Sequence, residues 1–118
     1  MSATRVFHST HYFQPADGDP IRSLVTHSAD ANIVAWHVNP GQRIKAHVHP
    51  QGQDTWTILA GEGEYFLDRE GTTVKIRAGD ILVAHTNEVH GVHNSGDVPL
   101  VFISVVCPAE AGFEQLEP

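Results

Sequence analysis

Short β-type runs, each closed by a turn signal, recur along most of the chain, and that rhythm limits the possible folds more than any other feature. The runs are "IRSLVTH", "NIVAWHV", "TWTILAG", "GEYFLD", "TVKI", "DILVA", "VHGVHN" and "LVFISVV". They have strand length and are rich in Val, Ile, Thr, Phe and Trp. Between them fall "NPGQ" at 39–42, "AGEG" at 60–63, "REGT" at 69–72, "RAGD" at 77–80, "HTNE" at 85–88 and "NSGD" at 94–97, all compositions that reverse a chain. No longer stretch repeats its apolar residues with the period of an amphipathic helix. The expectation is an all-β protein, an antiparallel sandwich or barrel.

Size and charge narrow the field. A chain of 118 residues with 41% hydrophobic content suits one domain with one core. Residues 1–31 read as N-terminal strands and 108–118 as a C-terminal tail with one short turn. The net charge of −7 opposes binding to nucleic acid or to an anionic membrane surface, both of which call for a basic face. Cys107 is the single cysteine, so no internal disulfide can form, and a reducing compartment is expected. The N-terminal residues lack the apolar core of a signal peptide, and no stretch has the length of a membrane span. A cytoplasmic protein is the expectation.

The segment "HVHPQGQD" at 47–54 carries the chemistry. His47 and His49 sit at i and i+2, so on a strand they project the same way. That spacing can give two adjacent corners of a metal coordination sphere, because neutral imidazole binds Zn, Fe, Ni, Cu and Mn. Asp54 lies across the "PQGQ" turn, where the chain can fold back to present its carboxylate. Gln53 is the neighbouring oxygen donor, but alternation points it the other way. In "VHGVHN", His90, Val92 and Asn94 share a face opposite His93, so the two histidines should not enter one cavity without a bulge at Gly91.

Larger spacings extend this pattern. Gly41, His47, His49, Asp54 and Gly61 together resemble the first motif of the cupin family, in which the carboxylate is usually glutamate. "GDILVAHTNEVHGVHN" resembles the second motif, with His85 where proline is common, Asn87 at the turn-glycine position, then His90 and Asn94. The resemblance spans roughly residues 32–106. It implies a double-stranded β-helix, or jelly-roll barrel, commonly dimeric, with His47, His49, Asp54 and His90 as ligands of one divalent metal ion (Mn, Fe, Ni, Zn or Cu). Asp54 is one methylene shorter than glutamate, so it either reaches the ion or orients a ligand histidine. A metal-dependent enzyme acting on a small oxygenated organic substrate is the leading expectation, of dioxygenase, isomerase or lyase type. A non-catalytic small-molecule binder is the alternative.

Other residues are assigned by position. Trp56, Ile58, Val92, Phe66 and Phe102 are expected as apolar walls around the ion, and Arg43 and Lys45 as cations near its mouth. Trp56 and Trp36 read as core packing more than as ligand stackers, His37 faces either the cavity or the surface, and His93 reads as a surface or interface residue. Tyr65, Glu64 and Glu88 lie near the motifs, but spacing gives them no role, and no catalytic residue or reaction class follows. "LVFISVV" is apolar on both faces, as in a strand covered on both sides, and a homodimer is expected.

Overall fold

The turn signals fall where the chain reverses, and the runs between them pair into two antiparallel sheets. The computed structural model describes residues 4–118. The strands are β1 (Ser23–His27), β2 (Asn32–Val38), β3 (Arg43–Val48), β4 (Gln53–Ala60), β5 (Glu62–Phe66), β6 (Thr73–Arg77), β7 (Ile81–Ala84), β8 (His90–His93), β9 (Leu100–Cys107) and β10 (Glu114–Gln115). One sheet has the order β1-β2-β9-β4-β7 and the other β10-β3-β8-β5-β6. Facing each other, they make the jelly-roll barrel that the motifs implied. Ahead of β1 the described chain carries only a single 3₁₀ turn, Ser9–His11. Among the described residues, no helix is long and apolar enough to cross a membrane.

Two turns depend on backbone freedom. Gly61 has φ +82°, and a Cβ there would collide with the Pro99 carbonyl, so the β4–β5 reversal needs glycine. Asn87 takes φ +65° where a glycine would be usual, a conformation asparagine tolerates better than most residues.

β9 lies between β2 and β4, which explains its apolar character. Its inward residues Leu100, Phe102, Ser104 and Val106 are buried, while Val101, Ile103 and Val105 are half-buried on the outer face. Trp56, Ile58, Tyr65, Ile76, Leu100 and Phe102 are the larger members of one packed cluster. Trp56 and Phe102 stack at 4.2 Å between ring centroids. Burying a side chain of that size contributes about 1.5–3 kcal/mol.

Two strands have no counterpart among the β-type runs. β3, "RIKAHV", is interrupted by cations, and β10 contains only Glu114 and Gln115. Propensity cannot reveal them, because they are strands by virtue of their neighbours. The tail therefore does more than turn: β10 pairs with β3, Glu114 opposite Val48 and Gln115 opposite His47.

Candidate metal centre

His47 reaches the interior through an irregularity in β3. Ile44 pairs with Val92, but the next pairing is His47 with His90. Three steps on β3 thus match two on β8, which is a one-residue bulge. Strict alternation would put Ile44 and His47 on opposite faces; the bulge turns both inward. The extra residue sits on β3, not at Gly91, and the β3 backbone crowds that glycine: a Cβ on Gly91 would lie 2.6 Å from the Ile44 carbonyl oxygen. His93 stays half-buried at the β8 edge, opposite Arg43 and Glu64.

The bulge sets His47 against His90, with ring centroids 4.1 Å apart. His49 follows β3, its carbonyl accepting the Asn87 N–H at 3.0 Å, and its ring lies 5.0 Å from His90. Asp54 enters from β4 on the same face as Trp56 and Ile58, while Gln53 is exposed. The structure brings His47, His49, Asp54 and His90 together, with one donor atom of each within 4.8 Å of all the others. Asp54 approaches the histidines closely: its Oδ2 lies 3.1 Å from His90 Nε2 and 3.5 Å from His49 Nε2. Its Oδ1 accepts a 2.5 Å hydrogen bond from the Ser104 hydroxyl.

The proton arrangement fits a cation. The Nδ1 atoms of His47, His49 and His90 face the carbonyl oxygens of Lys45, Gly112 and Glu88 at 2.7, 2.6 and 3.1 Å. A carbonyl only accepts, so each Nδ1 must donate, and in the neutral ring each Nε2 is left as a lone pair. His49 Nε2 is buried with no hydrogen-bond partner. Inward-facing imidazole nitrogens beside a carboxylate form a nitrogen–oxygen donor set suited to a divalent transition metal.

The electrostatics agree. Burial, reinforced by the neighbouring His90, lowers His47 to about 4. Burial opposes ionisation of Asp54, yet the His49 and His90 rings, whose Nε2 atoms face it and donate only when protonated, together with the Ser104 hydroxyl, outweigh it and hold the carboxyl well below its usual range. For His49, burial works downward, but the Asp54 contact and the Gly112 carbonyl win and raise it. The centre thus keeps a carboxylate ionised at an enclosed site, which a bound cation would stabilise further.

A cavity of about 610 Å³ adjoins the cluster, bordered by His47, His49, Asp54 and Ser104. His90, 1% exposed, closes the centre from behind. The apolar walls differ from expectation. Trp56, Ile58, Val92 and Phe102 pack in the core, and Phe66 lies outside this cavity beneath the Arg43 guanidinium, 5.1 Å from its ring centre. The cavity is walled by Val34, Trp36, Ile44, Val106 and Phe113. The reason is depth along the strand: inward positions near one end of the barrel form the core, and those near the other end face the cavity. Trp36, read from the sequence as core, does both: it packs against the core cluster and lines the cavity.

The remaining assignments follow from position. Arg22, Arg43 and Lys45 border the cavity, but Arg43 is already paired with Glu117 at 2.9 Å. His37 lies on β2 beside Trp36, on the opposite face and outside the cavity lining. Glu88 is exposed and bonded to His85 at 2.7 Å, and Glu64 lies near Thr73. Tyr65 is buried with its ring edge-on to Trp56, and burial, then Asp54 and Glu88, push its hydroxyl above the ordinary range. Sequence reasoning missed Ser104, Gly112 and Phe113. Ser104 had a signal, being the single polar residue in "LVFISVV"; the other two had none.

A model of the Cupin domain family matches residues 34–106. The chain is a cupin. Over 67 residues it is 36% identical to a Thermotoga maritima protein called an oxalate-binding protein, covering 57% of this chain and 54% of that one. The cupin thus spans about half the length of this curated relative. A crystal structure from Klebsiella pneumoniae, described as an uncharacterized conserved protein with a double-stranded beta-helix domain, is 46% identical and superposes with a TM-score of 0.93. That match covers 98% of this cupin and 100% of the other chain. The polyketide cyclase RemF of Streptomyces resistomycificus shares the fold, with a TM-score of 0.80 at 14% identity over 98% of this chain and 87% of its own.

Proposed function

We propose that this cupin is a metal-dependent enzyme acting on a small oxygenated organic molecule, of dioxygenase, isomerase or lyase type. One observation carries the reading: three imidazole nitrogens and a carboxylate oxygen converge beside a cavity large enough for a small organic molecule. A divalent cation held by His47, His49, His90 and Asp54 would polarise a carbonyl or acidify a bound water. Around it, Val34, Trp36 and Ile44 exclude water from one side of the substrate. Ser104 fixes Asp54 through Oδ1, leaving Oδ2 toward the histidines. Arg22 and Lys45 favour a substrate bearing negative charge or an electron-rich oxygen.

A second reading, a non-catalytic binder that clamps its ligand through the metal, is favoured by the likeness to the Thermotoga oxalate-binding protein. Metal analysis of the purified protein, then oxygen uptake and turnover on diketones, phenols and sugars with and without Fe(II), separates the two. Turnover that needs the metal supports the enzyme. A well-occupied metal with no turnover across the panel favours the binder, and no retained divalent metal sinks both.

The reading also includes a cytoplasmic homodimer. Ile81, Val83 and Leu59 are exposed on the outer face of β4, β7 and β9, which carries no Asp, Glu, Lys or Arg among its outward residues. A neutral face on a chain of net charge −7 suits a second copy of itself, since self-pairing there brings no like charges together. Light scattering should give twice the chain mass, and Ile81→Lys should give the monomer; a monomeric wild type would refute the dimer.

A further inference from the structure

The three histidines are not oriented in the same way. His47 and His90 each donate to a carbonyl two residues away, Lys45 and Glu88, so their ring orientation is a local property of their strands. His49 donates to the carbonyl of Gly112, 63 positions along the chain, at 2.6 Å. It also lies beyond the end of β3, where its carbonyl is held by the Asn87 N–H at 3.0 Å but no local backbone contact orients its ring. Its orientation therefore depends on whatever holds Gly112.

Residues 111–117 are held at several points. The Ala111 carbonyl accepts the Gln51 N–H at 2.7 Å, and its side chain closes over Gly52, where an added Cβ would lie 2.6 Å from Ala111 Cβ. Gly112 takes φ +77°, and a Cβ there would strike the Gln51 side chain. Phe113 lays its ring 5.0 Å from His47 and 6.1 Å from His49. β10 then pairs with β3. Finally, Ala46, inside the β3 bulge, has both backbone groups satisfied here: its carbonyl by the Leu116 N–H at 2.8 Å and its N–H by the Glu117 carboxylate at 2.6 Å. Glu117 also receives the Arg43 guanidinium at 2.9 and 3.0 Å.

We infer that residues 112–117 are a strap belonging to the metal centre, positioning His49 through the Gly112 carbonyl and anchored at the β3 bulge by Glu117. This rests on the metal-binding reading above and adds to it: Gly112 and Glu117 are positioning residues, and Phe113 is both cavity wall and cover for two ligand rings. The strap ties the bulge that aims His47 to the carbonyl that aims His49, so the two rings keep a common geometry.

The test replaces residues 113–117 with a Gly-Ser stretch, which keeps Gly112 and the Ala111–Gln51 bond but removes the anchorage of the strap to β3. Co(II) titrated into the metal-stripped protein is followed by its visible spectrum, and the histidine Nδ1 protons by ¹H–¹⁵N NMR. Losing an outer partner of a ligand histidine costs about 10–100-fold in metal affinity, and a loss of that size is expected here. The Nδ1 proton of His49 should lose protection from solvent exchange, while those of His47 and His90 keep it. Wild-type Co(II) affinity in this variant overturns the proposal. Should the variant fail to fold, Glu117→Gln decides: weaker Co(II) binding with faster His49 Nδ1 exchange supports the strap, and wild-type values for both refute it. If unmodified protein binds no Co(II), the metal reading fails, and His49 protection alone decides the strap's role.

Discussion

The two ends of the barrel are built by the same strands for opposite purposes. On β4, Trp56 and Ile58 enter the packed core, while Asp54, one inward position earlier, enters the metal centre. On β9, Leu100 and Phe102 join the core, while Ser104 and Val106 face the cavity. On β2, Val38 packs, and Val34 and Trp36 line the open end. A two-residue period chooses inside or outside but not depth. The packed end stabilises the fold by apolar burial. The polar end gathers groups that are costly to bury and is justified by what it can bind.

Substitutions at the two ends should therefore have separable effects. The largest stability loss is expected at the packed end, where Phe102→Ala should cost about 3–5 kcal/mol in urea unfolding with little change in the affinity of whatever folded protein remains for Co(II). A similar effect on both readouts would mean that the ends are one mechanical unit. His90→Ala should do the reverse. It removes a member of the donor cluster, so Co(II) affinity should fall by more than the roughly 100-fold upper figure for losing an outer partner. Metal-free stability should change less than in Phe102→Ala, because deleting the ring also relieves a crowded, poorly solvated group.

Ser104→Ala lies at the boundary. It strips Asp54 Oδ1 of its 2.5 Å partner and should cost about 1–3 kcal/mol, the penalty for leaving a buried polar atom unsatisfied, together with a modest loss of metal affinity. A neutral outcome in both measurements would show that water or rearrangement replaces the hydroxyl.

The smallest effect is the pH response of the metal-free protein. His47 is lowered from 6.5 to about 4 when folded, so between those values the unfolded chain binds more protons, and stability falls as pH drops through that window. His49 is raised and has the opposite sign: its contribution is present below its ordinary value and lost as pH rises. The stability that Asp54 supplies is present above the ordinary carboxylate value and lost only at lower pH. His47→Leu should therefore flatten the decline between pH 6.5 and 4 relative to wild type in parallel urea titrations. An unchanged slope would argue that His47 is solvated and not enclosed.

Much of this was legible from residue order. The strand runs and their turns announced an all-β chain, and Asn87 held the positive φ that its place in the motif requires. Gln53 was correctly turned away by alternation, and Asp54 proved long enough to approach the histidines. The misassigned cavity walls came from the same alternation rule, which gave Trp56, Ile58 and Val92 a face but no depth.

The sequence by itself determined the β-rich architecture and named the four residues that meet at the centre, because turn chemistry, strand periodicity and motif spacing are all written along the chain. Only the tertiary structure decided how those residues are aimed. The β3 bulge, the short β10 strand, the Ser104 bond to Asp54 and the Gly112 carbonyl on His49 each join positions far apart in the chain. Their geometry is set by strand pairing through space, which no local pattern of side chains encodes.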